Sequence, residues 1–359
     1  MYSHRSIQVV IKSIFFSVLT ATAVLAASCG GNSDNKHPEE QGKSSAILPA
    51  DTAQATEVPA AERKVSRLQY TATVGQRMSY KLMQVDDIDQ DGQKAQMSTT
   101  IYYTKSIKEI KTGGIVDMNV RIDSIRMKST YPNPSMPGAQ SVSMYNSQDS
   151  ASRSNEQFRQ YNGIVGEEVR MLVNGRGKIE EVSGLTPILN KILGYQKDSV
   201  PQKAKDQLVE QIRYQLFQIP LQNEYQTFSD EDGKVDSTQS WSHADVSALS
   251  GVFRVKNSVK YTIESVKNIK GRKAASIKAL LTAEVTNPKA EQGSAKFTLN
   301  ESSISGNGES LIDVETGMTI YKRNKVVTVI DATLLDPKAK QNQRARQQLT
   351  TTVTIELLK

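Results

Sequence analysis

The sequence predicts an α+β fold in which a long curved antiparallel β-sheet, a meander or half-barrel, packs against a helical hairpin. Three observations predict it. Apolar and polar residues alternate over most of the chain after residue 68, which is the two-residue period of a half-buried strand. Turn residues separate these stretches at hairpin spacing. Near residues 186–218, the spacing is instead that of an amphipathic helix.

The first predicted strands lie between residues 80 and 127. Residues 80–84 alternate, and a polar turn leads to a second run at residues 97–103. The apolar residues of 118–122 share one face, whereas those from residue 125 onward continue out of phase. A change of phase within one strand indicates an extra residue, so we predict a β-bulge near Asp123–Ser124.

The later strands are separated by turns and loops of recognisable composition. Asn174–Gly175 is typical of a hairpin turn between two strands. In the last third of the chain, Glu315–Thr316–Gly317 is the clearest turn. Residues 131–162, rich in Pro, Ser, Asn and Gln, and residues 336–347, with four basic residues, are predicted as loops.

The helical region contains two predicted helices. Thr186 is a candidate cap for a short helix that begins with Pro187 and ends at Gly194. A second helix begins near residues 199–201 and ends at about Phe217, with apolar residues at four-residue spacing. Such an amphipathic stripe must be buried against another surface, and the apolar face of the sheet is the nearest one.

The amino-terminal residues predict export. A charged opening precedes Ser13–Ser28, an uncharged apolar run of 16 residues. This run is shorter than the ~20 residues that cross a bilayer as a helix, and it is typical of a signal peptide. We therefore predict a signal peptide at residues 1–28, a flexible linker at 29–64, and a single folded domain at 65–359.

Cys29 is the single cysteine of the chain and directly follows the apolar run. Ala26, Ala27, Ser28 and Cys29 resemble the lipobox of bacterial lipoproteins, although Ala26 stands where leucine is usual. The resemblance implies that Cys29 carries diacylglycerol and, as the new amino terminus, an acyl group such as palmitate. Three acyl chains would anchor the protein stably. The alternative is ordinary signal cleavage that leaves a free thiol.

Composition excludes several kinds of chemistry. One cysteine cannot form an intramolecular disulfide, and three histidines with one cysteine cannot make a Cys/His zinc site. The net charge is +7, and the basic residues form three clusters in the last part of the sequence. We interpret the clusters as serving solubility, and the alternative is contact with anionic lipid head groups. We expect no nucleic-acid partner. The clusters are Lys267, Lys270, Arg272, Lys273 and Lys278; Lys322, Arg323 and Lys325; and Lys338, Lys340, Arg344 and Arg346.

Asp87, Asp89, Asp91 and Gly92 match the opening of a calcium-binding loop. An EF-hand requires a glutamate at the twelfth loop position, where this chain has Ser98. The flanking residues also predict strands. We therefore favour a polar hairpin tip over a weak calcium site, and predict no other cofactor.

Residues near the single tryptophan offer two further candidates. Trp241 is either a core anchor, which we favour, or part of an aromatic binding platform. Ser242, His243 and Asp245 have the residue types of a hydrolase triad, but working triads take their members from separate elements. We expect His243 to lie in a solvated loop.

We assign no catalytic role to two remaining motifs. Glu167–Glu168 and Glu180–Glu181 are paired acids, but neighbours on a strand point to opposite faces and do not act as an acid–base pair. Gly306–Asn307–Gly308 has no third glycine of a dinucleotide-binding loop and is predicted as a turn.

Several segments resemble those of an uncharacterised family of Bacteroidetes-type envelope lipoproteins, like domain of unknown function 6263. The resemblance covers most of residues 66–359, and its segments are VRIDSIRM at 120–127, GEEVRMLVNGRGKIEEVSGL at 166–185 and GESLIDVETGM at 308–318. It implies a location and a fold, and no activity.

The expected function is non-enzymatic. We expect a lipid-anchored cell-envelope protein, attached to the bacterial outer membrane and facing the periplasm or the exterior. It would bind an apolar or amphipathic ligand such as a lipid, or act as a scaffold for another envelope protein. The alternative is a surface hydrolase or glycan-active protein that uses carboxylates. A large apolar cavity between helices and sheet favours the first hypothesis, and a cleft with converging carboxylates favours the second.

Overall fold

The computed structural model describes residues 55–59, 62–133, 136, 138–229, 232–249, 253–269, 271–292, 295–336 and 341–358. The architecture is a 14-stranded antiparallel sheet with a helical layer on one face, which confirms the predicted fold class. The strands are β1 Thr56–Glu57, β2 Arg77–Gln90, β3 Gln93–Lys111, β4 Ile115–Pro132, β5 Gln140–Asn146, β6 Glu168–Val173, β7 Ile179–Ser183, β8 Ser240–Leu249, β9 Phe253–Ile269, β10 Arg272–Asn287, β11 Lys289–Gln292, β12 Ala295–Asp313, β13 Thr319–Asp336 and β14 Gln341–Leu357.

The sheet is open. Its strand order is β1-β9-β10-β12-β13-β14-β2-β3-β4-β6-β7, and β8, β5 and β11 pair additionally with β9, β4 and β12. The last strand, β14, lies beside β2, so the two sequence halves of the sheet join at its centre. This long-range pairing places the β2–β4 meander under the helices.

The helical layer is built from short helices. They are α1 Ser150–Ser154, α2 Arg159–Ile164, α3 Thr186–Leu193, α4 Gln202–Gln211 and α5 Ile219–Gln222, with 3₁₀ turns at Thr112–Gly114, Glu156–Phe158 and Gly194–Gln196 and a π-helical segment at Ile212–Gln218. No helix in the described ranges is long and apolar enough to cross a membrane.

One face of the sheet packs on the helices, and we call it the inner face. Alternation along each strand assigns residues to it: Tyr80 and Leu82 of β2 and Tyr103 of β3 are almost completely buried. They belong to the same apolar cluster as Ile188 of α3 and Phe217 of the π segment. Of the predicted apolar stripe, Ile212 is buried, whereas Leu208, Val209 and Leu216 are partly buried against the same cluster.

Three local predictions are confirmed. Tyr102 pairs with Ser124 and Tyr103 with Ile122, so Asp123 is the extra residue of the predicted β-bulge. Asn174 begins the loop between β6 and β7, although the residue with positive φ is Gly177, at 77°. The turn at residues 314–318 joins β12 to β13.

The helices differ from the predictions in two details. α3 begins at Thr186 itself and no side chain caps it. The second helix continues past Phe217, because α4, the π segment and α5 follow one another without a break. The sequence offers no spacing signal for a change from α to π geometry.

Three predicted loops or turns are wrong. Residues 131–162 contain β5, α1 and α2, since Tyr145, Phe158 and nearby apolar residues find buried positions. Residues 341–347 belong to β14, where main-chain pairing with β13 does not require apolar side chains. Gly306–Asn307–Gly308 lies inside β12; a Cβ on Gly306 would stand 2.7 Å from the Lys325 carbonyl oxygen, so glycine permits a close backbone approach.

Residues 65–71 form a segment between β1 and β2 that we call the strap. The N–H of Leu68 donates to the Gly233 carbonyl, that of Tyr70 to Gly175 and that of Thr71 to Thr316, at 2.7–2.8 Å. The strap thus connects three loops that are distant in sequence. A Cβ on Gly233 or on Gly317 would collide with the strap backbone, which explains glycine at both positions.

The predicted linker is structured at its end, because β1 pairs with residues 267–268 of β9 and Val58 is buried. The predicted signal peptide at 1–28, Cys29 and the predicted linker as far as residue 54 lie outside the described residues. The same holds for the basic residues Lys270, Lys338 and Lys340.

Candidate ligand-binding cavity

A cavity of about 250 Å³ lies between the inner face of the sheet and the helical layer. Leu82, Ile101 and Ile125 stand opposite one another on β2, β3 and β4 and form the sheet wall. The opposite wall comes from α2, the π segment and α5. The lining residues are Leu82, Gln84, Met97, Thr99, Ile101, Ile125, Gln160, Tyr161, Ile164, Gln215, Leu216, Ile219 and Pro220.

The irregular helical backbone forms one side of this cavity. The N–H of Ile219 donates to the carbonyl of Tyr214, five residues earlier, which is the π-helical pattern. The next residue, Pro220, has no N–H to continue the ladder. Single π turns inside helices occur often at functional sites, and here Gln215, Leu216 and Pro220 all face the cavity.

The sheet wall carries polar groups in defined orientations. Gln84 and Thr99 are cross-strand partners on β2 and β3. Gln84 Nε2 donates to Asp86 Oδ2 at 2.7 Å, and Thr351 Oγ1 donates to Asp86 Oδ1 at 2.6 Å. Burial raises the pKa of the Asp86 carboxyl, and these two donors partly oppose the rise. The Asp86 carboxylate thereby fixes which end of the Gln84 amide faces it.

A buried ion pair connects the residues after α5 to the sheet. Lys105 of β3 and Glu224, directly after α5, are 0% and 1% exposed, and Lys105 Nζ donates to Glu224 Oε1. Tyr103 OH donates to Glu224 Oε2 at 2.6 Å. Because Glu224 is four residues beyond Pro220, this contact holds the end of the cavity wall against the inner face.

Aromatic rings surround the buried lysine. Lys105 Nζ lies 4.6 Å from the ring centre of Tyr80 and 4.9 Å from that of Tyr225, distances at which a cation is attracted to the ring face. Burial disfavours the charge on Lys105, but Glu224 and Tyr70 outweigh it, so the pKa of Lys105 is raised. Burial, together with Glu224, raises the pKa of Tyr103 well above its usual range.

Lys322 is a second buried lysine on the inner face. The sequence-based assignment of Lys322 to a surface basic cluster is therefore wrong. Lys322 is 6% exposed, and Nζ donates to the Tyr225 carbonyl at 2.8 Å. Burial lowers the pKa of Lys322 to about 8, against a smaller opposing effect of Glu224. Alternation along β13 leaves Arg323 and Lys325 exposed. Lys105 of β3, Lys322 of β13 and Glu224 after α5 therefore bring three elements together in one buried polar cluster.

The calcium candidates form a hairpin tip. Asp91 and Gly92 are the two-residue turn between β2 and β3, with φ of 52° and 82°, as in a type I′ turn. Asp89 Oδ1 accepts from the Gly92 N–H at 3.0 Å, Asp91 Oδ1 from the Arg346 N–H at 2.9 Å, and Asp87 Oδ1 from Gln96 at 2.7 Å. Among the described residues, no group of three or more His, Cys, Asp or Glu is placed to hold a metal ion.

A second, open depression of about 560 Å³ adjoins this hairpin tip. Its lining is mostly polar and includes Asp87, Asp89, Lys94 and Gln96. Asp87 and Asp89 are two residues apart on the same face of β2, but both already accept hydrogen bonds within the hairpin. The carboxylates therefore serve the turn.

Trp241 is a core side chain and not an exposed platform. It is 7% exposed, its indole Nε1 donates to the Thr227 carbonyl at 3.0 Å, and its ring stacks on Tyr261 at 5.1 Å. Ser242, His243 and Asp245 lie on β8, not in a loop. Ser242 points to the opposite face from the other two, so these residues do not form a triad.

The paired glutamates and the remaining basic residues make separate surface contacts. Glu167 pairs with Lys191, whereas its neighbour Glu168 accepts from Asn119 at 2.8 Å. Glu180 pairs with Lys178 at 3.6 Å. Basic residues on the sheet are paired one by one: Lys273 with Glu62 at 3.5 Å, Lys278 with Glu264 at 2.6 Å and Arg344 with Asp331 at 2.7 Å.

The residues that line the cavity and the buried ion pair were not predicted from the sequence. A signal for the latter existed, since Tyr103, Lys105 and Ile107 alternate on one face and place a lysine among inward-facing residues. The cavity has no comparable signal, because its volume depends on how far the helices stand from the sheet.

Several solved structures match this chain at low identity. A lipovitellin chain, from a structure of lipid–protein interactions in lipovitellin, shares 11% sequence identity with this chain and has a TM-score of 0.43. The match covers 80% of this chain and 25% of the lipovitellin chain. This chain therefore spans about a quarter of that protein. OccK7 of Pseudomonas aeruginosa is 6% identical, with a TM-score of 0.20, over 79% of this chain and 99% of its own. A DUF1329 family protein from Desulfovibrio piger is 7% identical, with a TM-score of 0.13, over 78% and 85%.

No curated protein matches the sequence. A family model does match residues 113–319, a range that runs from the start of β4 to the first residue of β13. It includes the helices on the cavity wall and Glu224, but not Tyr103 and Lys105, the partners of Glu224. This match covers more than half of the chain, and the protein therefore belongs to the family of unknown function DUF6263.

Proposed function

We propose that this protein binds a small apolar or amphipathic molecule in the cavity between the helices and the inner face, without catalysing a reaction. The supporting observation is the lining: nine of its thirteen residues are apolar or aromatic, and the other four are Gln or Thr. An apolar cavity with a few placed polar groups is typical of a ligand site, and about 250 Å³ is just below the usual range of about 300–1,000 Å³.

The size of the cavity sets the size of the ligand. A volume of this kind accommodates one short chain or part of a longer one, whose remainder would extend through the open side. The lining contains no carboxylate and no histidine, and its one titratable side chain is Tyr161, whose pKa is raised by burial. Binding is for this reason favoured over hydrolysis at this site.

The test is binding of a fluorescent apolar probe, N-phenyl-1-naphthylamine, to the full chain carrying Cys29→Ser, so that no acyl group of the protein itself competes. We expect saturable binding, and copurified apolar molecules detectable by mass spectrometry. Leu216→Trp, which fills the cavity, should abolish both. Leu280→Trp is the matched control, because Leu280 is exposed on β10 and outside the lining.

Unchanged probe binding in Leu216→Trp, with the urea midpoint of the parent protein, would contradict the proposal. A lower urea midpoint would instead call for Thr99→Leu, which fills less space from the sheet wall, as the deciding variant.

We further propose that Cys29 anchors the protein to the bacterial cell envelope through attached lipid. The support is the order of apolar run, small residues and single cysteine in the sequence. Cys29→Ser should move the protein from the membrane fraction to the soluble fraction after cell lysis. Continued retention of this variant in membranes would contradict the anchor, without bearing on the cavity.

A further inference from the structure

The four polar residues of the cavity indicate what kind of head group it accepts. Gln84 and Thr99 belong to the sheet wall, and Gln160 and Gln215 to the helical wall. All four side chains are uncharged. Gln84 and Thr99 are half-buried on the sheet wall, whereas Gln160 and Gln215 are exposed at the open side of the cavity. The lining therefore offers an ionic head group no opposite charge, and a charge without a partner against the half-buried sheet wall is unfavourable.

Hydrogen bonds behind the lining orient two of these amides. The Nε2 of Gln84 is directed to Asp86 Oδ2 at 2.7 Å, so the carbonyl Oε1 is at the other end of the amide and acts as an acceptor. On the helical wall, Gln215 Oε1 accepts from Gln211 Nε2 at 3.3 Å, which leaves the Gln215 nitrogen as a donor. The two walls therefore present an acceptor and a donor, and the Thr99 hydroxyl serves as either.

The charges nearest to the lining disfavour an anionic head group. Asp86, two residues from Gln84 on the same face of β2, is 5% exposed and negatively charged when ionised. Its two oxygens already accept from Gln84 and Thr351. The buried lysines of the inner face also have partners, Lys105 in Glu224 and Lys322 in the Tyr225 carbonyl. A carboxylate or phosphate would thus meet repulsion from Asp86, while both of these buried lysines already have partners.

We propose that the cavity selects amphiphiles with an uncharged head group that both donates and accepts hydrogen bonds, such as an alcohol, a primary amide or a glyceryl group. The apolar chain lies against Leu82, Ile125 and Leu216, and the head group contacts Gln84, Thr99 and Gln215. This inference rests on the proposed function, because it presupposes that the cavity binds an apolar chain.

The test is competition for bound N-phenyl-1-naphthylamine among three ligands of equal chain length, all below their micelle-forming concentrations. These are 1-decanol, sodium decanoate and decyltrimethylammonium bromide, at pH 7.5 with the Cys29→Ser chain. We expect 1-decanol to displace the probe at a concentration at least about tenfold lower than either ion, which corresponds to the loss of one satisfied hydrogen bond or more.

Two variants assign the preference to the named amides. Gln84→Leu and Gln215→Leu should each reduce the preference for 1-decanol over decanoate to about threefold or less. Gln348→Leu is the matched control, because Gln348 lies outside this lining. Either lining variant suffices, so the test survives if the other fails to fold.

The outcomes separate the two proposals. Probe binding that is absent, or that Leu216→Trp leaves unchanged, overturns the proposed function. Saturable, Leu216-dependent binding in which decanoate or decyltrimethylammonium competes as well as 1-decanol overturns the head-group inference and leaves the proposed function standing. A preference for 1-decanol that both glutamine variants retain also overturns the inference.

Discussion

Lys105 and Glu224 form an ion pair that is shielded from solvent on all sides, and the pair joins the middle of the sheet to the residues that follow the helices. The Tyr103 hydroxyl completes the coordination of the carboxylate at 2.6 Å. Such a pair contributes little net free energy relative to apolar residues, but breaking it leaves a buried charge.

The first prediction concerns this pair. Glu224→Gln should lower the free energy of unfolding by about 3–5 kcal/mol, because Lys105 then lacks a countercharge. The double variant Lys105→Met/Glu224→Gln should recover most of that loss, since the amide still accepts from Tyr103. Urea unfolding of both single variants and the double variant measures the coupling. Additive losses would show that the charges do not interact as described.

The second prediction is a pH dependence caused by Lys322. Its pKa in the folded protein is about 8, below the ordinary 10.5, because burial disfavours the charge. Between these two pH values the unfolded chain binds more protons than the folded one, so stability rises with pH. The penalty is complete below about pH 8 and is relieved toward pH 10.

Lys322→Met should therefore increase the free energy of unfolding most at pH 7 and least near pH 10. Urea unfolding at pH 7, 8.5 and 9.5 gives the comparison with the parent protein. Lys325→Met, an exposed neighbour on β13, is the control. A difference between Lys322→Met and the parent that is constant over this range would contradict the buried, partly deprotonated lysine.

The third prediction is an acid dependence caused by Asp331. Hydrogen bonds from Arg344 and from Asn300 lower the pKa of Asp331 to about 2. The folded carboxylate holds its proton more weakly than the unfolded one, so its stabilising effect is present above about pH 4 and is lost as the pH falls toward 2. Asp331→Asn should flatten this part of the stability curve.

Chemical unfolding at pH 6, 4 and 3 compares Asp331→Asn with the parent protein and with Asp198→Asn, an exposed control. The control should keep the slope of the parent. An equal slope in Asp331→Asn would mean that the pair with Arg344 does not stabilise the fold in solution.

The fourth prediction separates a turn from a metal site at Asp91. Its φ of 52° favours Asn and Asp over Ala, and its carboxylate accepts from the Arg346 N–H. Asp91→Ala should therefore cost about 1–2 kcal/mol, and Asp91→Asn much less. Thermal unfolding with 2 mM EDTA or ~5 mM calcium tests the weak calcium hypothesis in parallel: a shift lost in both variants would identify a metal site and contradict a purely structural turn.

The alternation of apolar residues predicted much of this fold, and the reasons are local. A strand such as β2 shows its buried face directly in Tyr80 and Leu82, and an out-of-phase step revealed the bulge at Asp123. The pairing of β14 with β2 has no local signal, because it depends on chain closure over more than 250 residues.

For the candidate sites, the sequence indicated which side chains are polar or charged, but not whether each one is buried or exposed in the fold. Lys322 looked like a surface charge because it stands beside Arg323 and Lys325, and only its phase within β13 turns it inward. The cavity requires knowledge of two layers at once: Gln84 and Gln215 are 131 positions apart, and their common destination follows from packing.

The strap at residues 65–71 has a mechanical consequence. Its backbone forms hydrogen bonds to the loops before β7, before β8 and before β13, and the Tyr70 ring near its end packs edge-on against Tyr225. Tension applied to the chain before residue 56 would load the pairing of β1 with β9 first and the bonds of the strap next. A chain pulled from that end would thus have to lose its contacts with β9 and with three loops before β2 could be drawn out of the sheet.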